Sequence, residues 1–284
     1  MTSSKQDIIS TEQALRSDVI RAATFKASSY DWTWLQNGFR RSIAIVLFFL
    51  LWELLPRLGV VDEAFLPPFS KVLIAGYQLI ANGQFFVHLQ ASLVRSLSGF
   101  VIALATAIPL GFAIGWYRGF SDYLNPLLEL LRNTSALAVL PVFMLFLGIG
   151  ESSKIALIIF ACVWPILLNT ISAVRNVDPL LIKSARTLGL SDAKLFRKVI
   201  LPAAVPTIFV GIRLAGTSCI LVLVAAEMIG AKAGLGYLII YSQYNFQIPE
   251  MFVGIISITA FGFAFNYLLL AVEKHFTAWN RAAG

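Results

Sequence analysis

Residues 178–202 read DPLLIKSARTLGLSDAKLFRKVILP, a basic, glycine-broken stretch between two long apolar runs. The order of its residues predicts two short helices. Asp178 is suited to cap the first helix, and Pro179 to fill its first position, where a missing N–H group costs nothing. Gly189 is suited to a left-handed C-terminal cap. Ser191 is expected to begin the second helix and Pro202 to stop it.

The first of these two helices is predicted to be amphipathic. Leu180, Leu181, Ala185 and Leu188 fall on one face at helical spacing. The charges of the segment keep it outside the bilayer, and a short amphipathic segment of this kind is shaped to lie in a groove of another protein. Residues 178–202 are called the elbow below.

The spacing within the elbow resembles the EAA loop of ABC importer permeases, whose pattern is E-A-A-x3-G-x9-I-x-L-P. The glycine, the nine-residue gap and the final Leu-Pro are all present, whereas Lys183 replaces the glutamate, Ser184 the first alanine and Val199 the isoleucine. The resemblance implies that an ATPase partner contacts seven residues of the elbow: Lys183, Ser184, Ala185, Leu188, Gly189, Leu201 and Pro202.

Three further stretches are similar to the nitrate/sulfonate/taurine branch of these binding-protein-dependent permeases, namely FLPP at 65–68, LGIGESSK at 147–154 and AAEMIGAKAGLGY at 225–237. The resemblance covers about residues 60 to 280. It implies an all-α, type I ABC importer permease that carries a small oxoanion or sulfonate-like solute: nitrate, an alkanesulfonate, taurine or bicarbonate. The implied partners are ABC ATPase subunits that hold ATP and Mg, a second permease copy and an extracytoplasmic substrate-binding protein.

Composition independently indicates a polytopic α-helical membrane protein. Hydrophobic residues make up 58% of the chain and charged residues 13%, with a mean hydropathy of +0.79. In soluble domains roughly 45–50% of the residues are hydrophobic and about 25% are charged. The net charge of +7 comes without an aromatic-interleaved basic patch, which argues against nucleic acid as a partner. Cys162 and Cys219 lie in apolar runs and imply neither a disulfide nor a metal site.

Six apolar stretches approach the ~20 residues needed to cross a bilayer: 42–60, 93–116, 124–148, 153–174, 203–227 and 250–272. Residues 1–41 are then a cytoplasmic N-terminal segment and 42–284 the permease domain. In this topology the inner segments hold fifteen basic residues and the outer segments three. The positive-inside rule therefore predicts cytoplasmic termini and a cytoplasmic elbow. By the resemblance, the location is the bacterial cytoplasmic (inner) membrane.

Four polar residues in or near the spans are candidates for a translocation path: Arg213, Glu227, Asn133 and Ser135. Counted from Pro202, Arg213 lies roughly 16 Å deep, where a charge must face protein or water. It either lines an anion path or forms a structural ion pair. Glu227 either gates the path or has a structural role at a helix end. Asn133 and Ser135 either line a cavity or provide polar contacts between helices.

Small residues recur every four positions in the second span, at Gly99, Ala103, Ala107, Gly111 and Gly115. Such a stripe allows another helix to approach closely. The partner helix is either one of this chain or one of a second subunit.

The sequence contains no G-x-x-x-x-G-K-[ST] loop, so ATP hydrolysis is expected on a separate subunit and this chain is expected to be non-catalytic. An ion-gradient-driven secondary transporter is one competing interpretation, disfavoured because no inverted repeat or paired broken helices are apparent. A permease for an uncharged vitamin precursor is another. A membrane anchor or sensor is disfavoured because the chain has no soluble domain.

Overall fold

The computed structural model describes residues 33–277, apart from the side chains of residues 33–42, 118 and 120. The chain divides into two units at Val61 and Asp62. The first unit contains helix α1, Thr33–Arg57, which begins before the first predicted span and covers most of it. Residues 1–32 of the predicted N-terminal segment lie outside the described residues.

The second unit is also helical. Its elements are α2 (Phe69–Ala81), α3 (Gln84–Trp116), α4 (Arg118–Arg132), α5 (Ala136–Leu147), α6 (Glu151–Arg175), α7 (Pro179–Thr187), α8 (Asp192–Leu195), a π-helical turn (Phe196–Ile200), α9 (Leu201–Met228), α10 (Leu235–Tyr244) and α11 (Ile248–Phe276). The described residues form no β-strand. The predicted all-α fold is confirmed.

Four helices of the second unit are long and apolar enough to cross a membrane: α3, α6, the run Asp192–Met228 and α11. These match the second, fourth, fifth and sixth predicted spans. The third predicted span, 124–148, is divided into α4 and α5, whose axes differ by 95°. The two helices count as a fifth span only if the bent pair is taken together.

Polar side chains stand at the break between α4 and α5. Asn133 Nδ2 donates to Glu129 O at 2.8 Å, and Thr134 Oγ1 donates to Leu130 O at 3.2 Å. Side chains that bind carbonyl groups of the preceding turn offer the backbone an alternative to continuing the helix. The chain therefore turns here, and α5 begins only after Ser135.

The expectation that Pro202 stops the second elbow helix is wrong. Helix α8, the π-helical turn and α9 form one continuous helix of 37 residues, Asp192–Met228. In the turn, the Leu201 N–H donates to Phe196 O, five residues back. A proline normally clashes with the carbonyl group four residues earlier, and the wider π turn just before Pro202 gives that ring room.

Helix α6 lies between α3 and α9 and forms the centre of the core. Large apolar side chains such as Ile166 in α6 and Leu223 in α9 are completely buried there. Phe100 of α3 meets Phe265 of α11 edge to face, with ring centroids 5.2 Å apart. The core is therefore assembled from the spanning helices themselves.

The small-residue stripe of α3 packs against α6 of the same chain. A Cβ atom placed on Gly99 would lie 2.6 Å from Ile158 Cγ2, and one on Gly111 would lie 2.6 Å from Thr170 Cβ. Gly99 lies against Ile158 and Gly111 against Thr170, so the residue numbers of both helices rise in the same direction. Helices α3 and α6 therefore run parallel. The stripe therefore serves packing within the chain rather than a seam between subunits.

Substitution Gly111→Ala is expected to lower the thermal stability of the purified protein, because the added methyl group would overlap Thr170. Overpacking of this kind costs about 1–3 kcal/mol. Gly119→Ala is the matched control, since nothing lies within 4 Å of its Cβ position and alanine favours a helix. Thermal unfolding in detergent measures both. A Gly111→Ala protein as stable as the Gly119→Ala protein would contradict the packing described.

Candidate functional site

The elbow begins as its sequence predicts. The Asp178 Oδ1 atom accepts the Leu180 N–H group at 2.8 Å, and Pro179 is the first residue of α7. Gly189 has a φ of +73°, and its N–H donates to Arg186 O at 2.9 Å. The left-handed backbone that glycine adopts without strain therefore ends α7 and redirects the chain into α8.

The two sides of α7 have different environments. Ala185 is buried and packs in a cluster with Val174, Val177, Leu195 and Ile200. This placement corrects the predicted apolar face, because the Ala185 side chain points into its own chain. Ala185 itself is therefore not available to a partner protein, although Leu181 and Leu188 on the same face are exposed.

The accessible side of the elbow carries leucines and polar residues. Leu180, Leu181 and Leu188 are exposed, and Leu188 has 79% of its surface free. Lys183 and Ser184 are exposed beside them. Of the other residues predicted to contact an ATPase, Gly189 is exposed, whereas Leu201 and Pro202 are half-buried within the first turn of α9.

Aromatic contacts attach the elbow to α3. The Phe196 ring of the π-helical turn lies 5.2 Å from the Phe112 ring and 5.9 Å from the Trp116 ring, edge to face in both pairs. Together with the cluster around Ala185, these contacts join the elbow to the ends of α3, α6 and α9. The elbow is therefore in direct contact with those three helices.

A cluster of charges, in which Arg95, Lys154 and Glu227 are buried and Glu151 is exposed, lies at the opposite end of the bundle. Arg95 of α3 is only 3% exposed. Its Nε and Nη2 atoms donate to Glu151 of α6 at 2.5 and 2.8 Å, and its Nη1 atom donates to Glu227 of α9 at 2.8 Å. One guanidinium group therefore joins α3 to the ends of two other spanning helices, α6 and α9.

Glu227 is completely buried. Besides the bond from Arg95, its carboxylate accepts the Ser92 hydroxyl at 2.8 and 2.9 Å and the Gly236 N–H at 2.8 Å. The carboxylate is thus held at the end of α9 and does not face an open path. This position favours the structural one of the two predicted roles.

The same cluster fixes the loop between α9 and α10. Arg95 Nη1 donates to Ala233 O at 2.6 Å, and the buried Lys154 amine donates to Gly230 O at 3.2 Å. A Cβ atom at Gly234 would lie 2.4 Å from Glu227 Cδ, and the φ of Gly234 is +131°. Glycine is therefore required where the loop passes over the carboxylate. We call the loop and its charged partners the clamp.

Sequence reasoning missed most of the clamp. It identified Glu227 but not Arg95, Ser92, Glu151 or Lys154. The available signal was Arg95 itself, a charge within an apolar span that needs a partner inside the protein. The identity of its partners depends on helix packing, because the residues that meet Arg95 are more than fifty positions away along the chain.

Arg213 forms an ion pair with Glu273 of α11, with Nε and Oε2 3.2 Å apart. Glu273 lies in the last turn of α11, and nearby Phe209 stacks on Phe276 at 5.9 Å. Arg213 therefore lies close to the elbow end of the bundle. The structural ion pair is the role that this geometry favours.

Asn133 and Ser135 lie at the break between α4 and α5, and both are exposed. Asn133 binds the end of α4, as described above. The Ser135 carbonyl group accepts the Ala138 N–H at 3.1 Å, which starts α5. The two residues therefore shape the break, and they are not part of the clamp or the elbow.

The geometry is that of a membrane-embedded helical bundle with an exposed amphipathic elbow at one end. Residues 107–281 match the family of binding-protein-dependent transport system inner membrane components. The match covers more than half of the chain, so the chain belongs to this family of ABC importer permeases. The resemblance inferred from the elbow is confirmed.

The chain is also similar in sequence to several transport permeases. The chain is 40% identical to a probable ABC transporter permease of Brucella abortus (strain 2308), over 82% of this chain and 92% of the relative. It is 34% identical to a putative aliphatic sulfonates transport permease of Bacillus subtilis (strain 168), over 82% of this chain and 84% of the relative. It is 33% identical to the taurine transport system permease of Escherichia coli (strain K12), over 88% and 93%.

A solved structure supports the fold. An inward-facing structure of the MetNI methionine ABC transporter is similar with a TM-score of 0.55 and 18% identity, covering 70% of this chain and 97% of that one. The similarity shows that the helical arrangement is that of an ABC importer permease.

Substitution Arg95→Met is expected to destabilise the protein strongly, because it leaves Glu227 buried without its cation. Breaking a buried ion pair in this way costs about 3–5 kcal/mol. The control is Lys71→Met, which removes the exposed ion pair between Lys71 and Glu63 and costs about 0–1 kcal/mol. Thermal unfolding of both variants in detergent is the measurement. Equal losses would show that the clamp contributes no more than a surface ion pair.

Proposed function

We propose that this chain is the translocation subunit of an ATP-driven importer, with its elbow bound to separate ATPase subunits. The observation that carries the proposal is the exposed side of α7, where Leu181 and Leu188 lie uncovered at one end of the bundle. Apolar anchors at helical spacing are the usual means by which an amphipathic helix occupies a groove. ATP and Mg would be held by the ATPase, since this sequence has no phosphate-binding loop.

The continuous helix Asp192–Met228 supports a mechanical coupling. At 1.5 Å per residue its 37 residues extend about 55 Å, from the elbow to the clamp. An ATPase that moves the elbow would move this helix, and Glu227 at its far end would carry the clamp loop with it. Movement at one end of the bundle is thereby transmitted to the other without a flexible joint.

The filled interior of the bundle supports a path between two copies of the permease. Side chains of α6 and α9 occupy the core, including the fully buried Cys162, Ile166 and Leu223. A solute would then pass between protein copies rather than through one chain. We infer a homodimer with the path at its centre, and a substrate-binding protein that delivers the solute at the clamp end.

A sulfonate or another small oxoanion is the proposed substrate class. The support comes from the aliphatic sulfonate and taurine permeases among the relatives. Arg213 adds little support, because Glu273 balances its charge. Selectivity is expected to lie mainly with the binding protein.

The proposed orientation places the elbow and both termini in the cytoplasm, as the distribution of basic residues predicts. The clamp and the loop between α2 and α3 then face outward. This arrangement puts the elbow on the side where ATP is available.

Gly189→Val is expected to impair ATPase binding and substrate-stimulated ATP hydrolysis. Nothing lies within 4 Å of the new Cβ, so the effect comes from a φ of +73°, which costs valine about 1–3 kcal/mol. The matched control is Gly83→Val. Gly83 has a φ of +77°, and nothing lies within 4 Å of its Cβ position. It precedes α3, at the end of that helix far from the elbow. Pull-down of the ATPase and hydrolysis in reconstituted vesicles measure the outcome. Normal coupling in the Gly189→Val protein would refute the assignment of the elbow.

Ser191→Cys, in a protein carrying Cys162→Ala and Cys219→Ala, is expected to resist an impermeant thiol reagent in intact cells and to react in inside-out vesicles. Ser191 is exposed in the elbow, which is predicted to be cytoplasmic. Asn82→Cys, in the loop between α2 and α3, is the control and should react in intact cells. Labelling of the Ser191→Cys protein from outside would show that the elbow is not cytoplasmic and that the proposed orientation is wrong.

A further inference from the structure

Helix α4 has two distinct faces. Tyr123, Leu127 and Leu130 lie on one face and are exposed, and Tyr123 has 86% of its surface free. Leu128, on the other side, is buried. A helix with this pattern, set at 95° to the apolar helix that follows it, is suited to lie along a membrane surface.

A cleft of about 490 Å³ lies between α4 and the end of α6. Its polar wall contains Arg132, Arg175, Asn125 and Asn176, with Glu129 as the acidic residue. Ile171 and Leu168 continue the wall, one and two turns back from Arg175 along the spanning helix α6. The cleft thus has a basic mouth at the end of a span and an apolar wall that extends along the span.

The two arginines at the mouth have free donor groups. Within residues 33–277, neither Arg132 nor Arg175 belongs to an ion pair. With Glu129 as the one acidic side chain of the cleft, the site carries a net charge of +1. This charge suits a phosphodiester monoanion, and the planar guanidinium group can bind two phosphate oxygens at once.

We propose that this cleft binds the phosphate group of an anionic phospholipid. Arg132 and Arg175 hold the phosphate, and the Asn176 side chain lies beside them at the mouth. The first acyl carbons lie against Ile171 and Leu168. The amphipathic shape of α4 and the apolar wall along α6 favour a lipid over a soluble anion. An acyl chain can pack against an apolar wall, whereas a soluble phosphate makes no favourable contact with it. Basic pockets between spanning helices are a recurrent form of lipid headgroup site.

The test is native mass spectrometry of the full-length permease, delipidated in a neutral detergent and then mixed with phosphatidylglycerol or phosphatidylcholine. The wild-type protein is expected to retain phosphatidylglycerol selectively. Arg132→Gln with Arg175→Gln is expected to weaken that retention by at least about tenfold, because both charges at the phosphate are lost. The control, Lys194→Gln with Lys198→Gln, removes the same charge from exposed positions outside the cleft and should retain the lipid normally.

Three results would overturn the proposal. In phosphatidylcholine the choline group balances the phosphate charge, so equal retention of this lipid by the wild-type protein would show that the cleft does not select an anionic headgroup. An equal loss in the lysine control would show a diffuse attraction rather than a site. Displacement of the lipid by excess inorganic phosphate would assign the cleft to a soluble anion.

The same spectra distinguish a contact between permease copies. If the arginine variant changes the oligomeric state and retains phosphatidylglycerol normally, α4 lies in a protein interface and the lipid site is refuted. If that double variant fails to fold, Arg175→Lys replaces it. This single variant keeps the charge and loses the two-point contact, so weaker retention supports the site and unchanged retention contradicts it.

Discussion

Arg95 is shared by two carboxylates, and the arrangement of the spanning helices depends on this contact. An arginine inside an apolar bundle is tolerated only when its charge is balanced and its donor groups are occupied. Glu151 and Glu227 balance it from two different helices, and the Ala233 carbonyl group accepts a further bond. Because the three ionised groups come from α3, α6 and α9, the contact fixes these helices in one register. Gly234 in the following loop is a consequence, since only a backbone without Cβ passes close enough to Glu227.

The elbow is coupled to this contact through covalent continuity. A helix stop at Pro202 would have placed a joint between the elbow and the span. The π-helical turn removes that joint, because its wider spacing accommodates the proline ring while the helix continues. The resulting structure has an exposed amphipathic elbow at one end, the charge cluster around Arg95 at the other and a continuous helix between them. This continuity is the basis of the proposed coupling between the elbow and the clamp.

Some local features were predictable because short-range chemistry decides them. The Asp178 cap, the position of Pro179 and the positive φ of Gly189 follow from side-chain hydrogen bonding and ring geometry within a few residues. The face of α7 was predicted less well. Helical spacing places Ala185 beside Leu181 and Leu188, but it does not say which of them packs on the protein. The small size of Ala185 fits it to the narrow contact with Val174 and Ile200, whereas the leucines stay outside.

The sequence by itself determined the helical membrane class, the family and the position and order of four spans. These depend on apolar length, on residue spacing and on motifs, all of which are properties of neighbouring residues. The tertiary structure alone decided that Arg95 meets Glu151 and Glu227, that Arg213 meets Glu273, and that the chain bends by 95° after α4. These contacts join residues that are distant along the chain. Asn133 and Thr134 end α4 locally, but the angle of the bend is set by how α4 and α5 pack on the bundle. Which charged residues form ion pairs depends on which helices lie side by side. The periodicity of residues along one helix does not show which helices are its neighbours.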